Sequence, residues 1–129
     1  MGSAFCNTHI KSVVLPSKLK EMWGTFSGCS NLTSVELNEG LEEINYDCFS
    51  KTGIEMIKIP SSLKILGDGV FCDCKYLKQV DFPECGVLDQ IGKSCFAGSG
   101  IEQITIPNYV KTLCENAFSS CEKLQTVSF

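Results

Sequence analysis

The chain has 129 residues, 43% of them hydrophobic and 20% charged, a globular balance rather than a disordered one. Its net charge of -4 and pI near 4.9 exclude a nucleic-acid or anionic-membrane partner held by charge, because no basic surplus is present to neutralise phosphates. No apolar run approaches the roughly 20 residues of a membrane span, so direct membrane insertion is not expected, and the first residues lack the pattern of a secretory leader.

Met1, Gly2 and Ser3 read as a cloning remnant, and a single domain is expected over 4–129. Its first element opens at Phe5 in FCNTHI, continues through Ile10, Val13 and Leu15, stops at Pro16, and adds the apolar pair Leu19 and Met22. The second opens at Phe26 in FSGCSNL and runs through Leu32, Val35 and Leu37 to Leu41 and Ile44. The third, from Phe49 in FSKTGI, carries Ile54, Ile57, Ile59, Pro60, Leu63 and Leu66. The fourth, from Phe71 in FCDCKYL, carries Leu77, Val80, Phe82, Pro83, Leu88 and Ile91; two extra residues within Pro83–Val87 are expected to bulge outward. The fifth, from Phe96 in FAGSGI, carries Ile101, Ile104, Ile106, Pro107, Val110 and Leu113, and the sixth opens at Phe118 in FSSCEKL and reaches Leu124, Val127 and Phe129.

These elements are copies of one unit. The six phenylalanines stand 21 to 25 residues apart, and all four prolines fall directly after the second inward residue of a Val-x-Ile type step. That step has period two, the mark of a strand with one buried face, and proline beside it ends ladder pairing. Units also alternate: those at Phe5, Phe49 and Phe96 are one residue shorter before their aliphatic than those at Phe26, Phe71 and Phe118. One such unit cannot hide its apolar face alone, whereas stacked units share a continuous core. The expected fold is a repeat solenoid, a right-handed stack of about five coils with a short parallel sheet on one side. A second, narrower set of short strands comes from segments such as Leu63–Leu66, with turns or short helices around each Phe. The six framing rings should form one buried column.

The run Ile104-x-Ile106-Pro107-x-x-Val110-x-x-Leu113-x-x-x-Ala117-Phe118-x-x-Cys121-x-x-Leu124 resembles the BspA-like class of leucine-rich repeat. The resemblance covers nearly the whole chain. It implies a repeat fold and an interaction role, often adhesion to host or neighbouring-cell proteins, at a cell surface or in secreted form. The glycine that follows the second strand in this class is present at Gly67 and Gly92 but replaced by Trp23, Asn45 and Cys114, and the turn from Met22 to Phe26 is one residue short. The chain reads as a piece of a longer repeat protein.

Of nine cysteines, seven fall at phases that recur only two or three coils apart, too far for a regular disulfide ladder, and other coils place Ser, Ala, Thr or Val there. Cysteine is therefore read as a small buried residue with a free thiol, which would fit a cytoplasmic setting as well. Cys85 in the bulge is the expected exposed thiol, and an adjacent-coil pair such as Cys72 with Cys95 stays open. No Cys-x-x-Cys pair exists, and the lone His9 completes neither a zinc site nor a nucleophilic triad. No catalytic set, metal or cofactor is expected. Glu36, Glu42, Glu43, Asp81 and Asp89 read as solvated charge, with a glycosidase pair as the alternative.

If Val13 and Leu15 point inward, the outward columns are Ser12, Ser34, Met56, Gln79, Gln103, Thr126 and Val14, Glu36, Lys58, Asp81, Thr105, Ser128. Aromatic residues where other coils are polar, Trp23, Tyr46, Tyr76 and Tyr109, are candidate anchors. Trp23 and Tyr46, in turns of neighbouring coils, join Met56, Lys58, Glu36 and Asp81 as the expected protein-binding surface. The reading is a non-enzymatic protein–protein interaction module with a protein partner, for example from host or extracellular matrix. A structural spacer, or a carbohydrate-binding or carbohydrate-degrading solenoid, are the alternatives. End-to-end self-association through Phe129 is conceivable, and Asn31-Leu32-Thr33 matches a glycosylation sequon.

Overall fold

A computed structural model describes residues 2–129. Each of the first five coils contributes two short strands, set apart by a corner that carries proline in four of them and Asn38 in the second. The first strands are β1 (Ser12–Val14), β3 (Ser34–Glu36), β5 (Met56–Lys58), β7 (Gln79–Asp81), β9 (Gln103–Thr105) and β11 (Thr126–Ser128). The second are β2 (Glu21–Trp23), β4 (Glu43–Asn45), β6 (Ile65–Leu66), β8 (Gln90–Ile91) and β10 (Thr112–Leu113). All pairing is parallel and in coil register, so Met22, Ile44, Leu66, Ile91 and Leu113 stand one above another. The corners around each Phe are turns; among the described residues no helix occurs.

The two strand sets reverse the expected hierarchy. The second set forms one uninterrupted five-stranded sheet, β2-β4-β6-β8-β10. The first set, expected as the continuous sheet, is split into three pairs, β1-β3, β5-β7 and β9-β11. The breaks fall where a short unit follows a long one. There Gly53 and Gly100 bring their backbone against the coil before: a Cβ on Gly53 would lie 2.7 Å from the Ser30 carbonyl oxygen, and one on Gly100 2.3 Å from that of Lys75. Only glycine permits such an approach. The missing residue of the short unit thus shifts the strand out of ladder register and sets the coils in doublets.

Hydrogen bonds within each doublet follow the same alternation. Three residues after Phe, short units carry a hydroxyl (Thr8, Thr52, Ser99) and long units a thiol (Cys29, Cys74, Cys121). The Phe carbonyl of the short unit accepts the thiol of the next coil, at 2.9 Å from Cys29 to Phe5, 3.0 Å from Cys74 to Phe49 and 3.1 Å from Cys121 to Phe96. Thr8 and Thr52 donate to the same carbonyls at 2.9 Å. A buried carbonyl has two lone pairs, and here both are used.

The Phe corners make a third side. Neighbouring rings stack nearly parallel, with centroids 5.4 to 5.7 Å apart and interplanar angles of 6° to 9°. Phe26, Phe49, Phe71 and Phe96 are buried, while Phe5 and Phe118 at the two ends are only partly covered. The backbone on both sides of each ring is left-handed: Ser3, Gly24, Asp47, Gly69, Ser94 and Asn116 two residues before, and Asn7, Gly28, Lys51, Asp73, Gly98 and Ser120 two residues after, all have positive φ. Glycine, Asn, Asp and Ser dominate these phases because a bulky side chain is strained there. The amides between them ladder from coil to coil, as in Phe49 N to Val70 O (2.9 Å) and Phe71 N to Cys95 O (2.8 Å). Two continuous ladders therefore hold the stack, and the first-strand side can be interrupted without loss of continuity.

All nine cysteines are free; Cys29, Cys48, Cys74 and Cys95 are buried and Cys85 is exposed. Burial pushes the Cys48 thiol up to about 11 and raises those of Cys72, Cys74 and Cys95 as well. The unfolded chain loses these protons first, near pH 9, while the native state keeps them. Stability is therefore intact below pH 9 and falls as pH rises towards 11. For Cys48 alone the loss by pH 11 is about 2 kcal/mol. Thermal melts between pH 8 and 11 should show this decline, and Cys48→Ala should make it shallower by Cys48's share, with Cys74 and Cys95 still contributing.

Candidate functional site

Side chains that leave the core do so on two different sides of the stack. On the first-strand side, Val13, Val35, Ile57, Val80, Ile104 and Val127 pack into the core. The flanking outward residues are exposed in every coil except at Asp81, which is half-buried. Lys58 and Asp81 are register partners, as are Met56 and Gln79. Glu36 ends β3 as register partner of the exposed Val14. Where β7 and β9 are unpaired, an open trough of about 830 Å³ is lined by Gln79, Asp81, Glu84, Gln103, Asn108 and their neighbours. Gln79 Nε2 donates to Asp81 Oδ1 at 2.6 Å, which holds the carboxylate towards this trough.

The Pro83–Val87 bulge forms one rim of the trough. Tyr109 fixes it by donating its hydroxyl to the Pro83 carbonyl at 2.7 Å, and Gly86 leaves room for the ring, since a Cβ there would lie 2.8 Å from Tyr109 Cζ. Tyr109 is thus a brace, half-buried against the core, and not the exposed anchor expected from sequence. Desolvation raises its hydroxyl pKa. Tyr76 is exposed but lies elsewhere, above a hollow shared with Lys75, Asp73 and Lys51.

Trp23 and Tyr46 lie on the second-strand side. Trp23 is the last residue of β2, not part of the following turn, and faces Asn45 of β4. Tyr46 comes one residue after β4. Their rings meet edge to face, with centroids 6.5 Å apart, and are 46% and 64% exposed. The six residues expected to form one surface therefore divide into an aromatic pair on one side and Glu36, Met56, Lys58 and Asp81 on the other. The reason is that first and second strands of a coil belong to separate sheets.

A column not foreseen from sequence runs just before the second strands: Lys20, Glu42, Lys64, Asp89 and Lys111 alternate in sign. Glu42 lies 3.8 Å from Lys20 and 2.6 Å from Lys64, and Asp89 lies 2.9 Å from Lys111. The Lys64 hydrogen bond and charge hold the Glu42 carboxyl below its usual range, and Glu42 in turn raises Lys64. The signal was available as a sign alternation at the repeat period. Lys93 and Glu115 form a separate exposed pair at 3.0 Å. Glu42 and Asp89, two of the carboxylates considered for glycoside chemistry, are thus neutralised partners on a solvated face. Among the described residues no three metal-ligating side chains converge. His9 and Asn31 are exposed.

The sequence profile of the BspA type leucine rich repeat region matches residues 2–128 in six copies. No curated protein gives a significant sequence match. Among solved structures, a leucine rich cell surface protein from Faecalibacterium prausnitzii A2-165 is similar over 98% of this chain, with TM-score 0.86 and 30% identity. The pneumococcal vaccine antigen PcpA is similar over 92%, with TM-score 0.79 and 30% identity. A leucine-rich repeat protein from Bacteroides ovatus shares the fold at 21% identity and TM-score 0.67 over 93% of this chain and 37% of that one. The chain spans about a third of the first two, 35% and 29% of their lengths.

Proposed function

The chain belongs to the BspA-type leucine-rich repeat family, and from that premise we propose that it is a protein-binding module whose recognition surface is the outward face of the first strands. One observation carries this reading: on every first strand the central residue packs on the core while the outward positions, apart from Asp81, are exposed. Those positions are free to vary without cost to folding, which is how solenoids acquire binding surfaces. Met56 supplies an apolar centre, 52% exposed, and Lys58, Glu36 and Asp81 supply charge of both signs around it. The trough between β7 and β9 adds relief to an otherwise flat sheet. The similar protein of F. prausnitzii is a cell surface protein; display at a cell surface, and a host or extracellular-matrix protein as partner, is the corresponding proposal here.

The test is retention of the purified protein on immobilised extracellular-matrix protein, comparing wild type with Met56→Asp/Lys58→Glu. Retention reduced about fivefold or more in the variant, with its melting temperature preserved, supports the reading. Equal retention of both, or none above that of an unrelated folded protein, counts against it.

A further inference from the structure

On the second-strand side, the sequence irregularity around Met22 has a structural consequence. The turn from Met22 to Phe26 is one residue shorter than those of the later coils. Gly24 N still reaches the Asn45 carbonyl, at 3.3 Å, and Asp47 N reaches that of Asp68, at 3.0 Å. Between those two bonds Tyr46 is left over. It takes φ 48°, beside Asp47 at 57°, so two consecutive non-glycine residues are left-handed. A tyrosine in that region is strained. The ring it holds out meets Trp23, itself exposed.

The charged residues that point outward from β2 and β4 are both acidic. Residues two apart on a strand share a face, so Glu21 lies beside Trp23 and Glu43 beside Asn45. Glu21 and Glu43 are register partners, so their carboxylates leave the same face of two strands that run about 4.8 Å apart. Asn45 Nδ2 donates to Glu43 Oε2 at 3.3 Å. The nearest lysines, Lys20 and Lys64, are both drawn to Glu42; Lys64 also feels Glu43 at longer range. Among the described residues neither Glu21 nor Glu43 has a cation within 4.0 Å. Like charges in register repel, and the rings beside them offer π faces.

We propose that Trp23, Tyr46, Glu21 and Glu43 form a receptor for a cationic side chain, an arginine or lysine, carried on an exposed segment of a protein partner. A guanidinium laid on the Trp23 face would reach the carboxylate pair and relieve its repulsion. This rests on the interaction-module reading but uses a different side of the stack from the surface proposed above.

Trp23 is the chain's single tryptophan, so its fluorescence reports the site directly. The experiment titrates the intact protein with acetylated hexa-arginine amide, and with hexaglutamate and hexaglycine as controls. A saturable change in Trp23 emission with the arginine peptide alone is expected. Glu21→Gln/Glu43→Gln should weaken it about tenfold, whereas Glu102→Gln/Glu122→Gln, an equal charge change elsewhere, should leave it within about twofold. Tyr46→Gly should weaken binding while leaving the melting temperature unchanged or higher, because glycine accepts the left-handed backbone. No saturable change in the wild type overturns the proposal, as does equal loss from both double variants. Matrix retention that depends on Met56 and Lys58 would then survive, and only this second site would fall.

Discussion

Phe71→Ala is expected to destabilise the protein by about 3–5 kcal/mol in denaturant unfolding, among the largest effects of any single truncation. The ring is fully buried and sandwiched between Phe49 and Phe96, at centroid distances of 5.7 and 5.6 Å. Alanine would remove both stacking partners' contacts and leave a cavity between two coils whose backbones are tied by the Phe49-to-Val70 and Phe71-to-Cys95 hydrogen bonds. The ladder prevents the coils from collapsing into the space, so the cavity is retained and its full cost is felt. Phe5→Ala should cost much less: that ring is 41% exposed and stacks on one neighbour, Phe26. Equal losses at the two positions would mean that the column is not a continuous core.

Gly100→Ala should cost about 3 kcal/mol although it adds a single methyl. The new Cβ would lie 2.3 Å from the Lys75 carbonyl oxygen and 3.2 Å from that of Leu77, both backbone atoms that cannot swing aside. Relief would require the third doublet to move away from the second, which would strain the Phe71-to-Cys95 and Asp73-to-Ala97 bonds on the Phe side. Gly53→Ala, with 2.7 Å to Ser30, should follow at smaller cost. Unfolding free energies from urea titration check both, and a neutral Gly100→Ala would dismiss close approach as the cause of the sheet breaks.

The coil architecture was legible because it depends on periodicity alone. The Phe frame, the Val-x-Ile step and the proline phase each report a single local requirement, and stacking makes the same requirement in every coil. Cys85 was correctly placed outside because it sits in the two-residue bulge. What the sequence concealed depends on contacts between neighbouring coils. The shorter FSKTGI and FAGSGI units were visible, but the broken ladder follows from where Gly53 and Gly100 touch the preceding backbone. The thiols were read as small apolar residues; their alternation with Thr8, Thr52 and Ser99 at one phase held the clue that they also donate. Tyr109 looked like a surface ring because its partner, the Pro83 carbonyl, lies 26 residues away in the bulge. The expected surface mixed two sides because a strand pattern tells inward from outward, not which of two sheets a strand joins.

Core and proposed recognition surface are thus carried by different residues of the same strands. Thermal unfolding of the fivefold variant Ser34→Thr/Met56→Thr/Lys58→Thr/Gln79→Thr/Gln103→Thr tests that division most directly. All five positions are exposed on first strands, and threonine suits a strand, so the melting temperature should stay within about 3 °C of wild type. A fall as large as that of Phe71→Ala would show that this face is part of what holds the stack together, and would contradict its freedom to serve recognition.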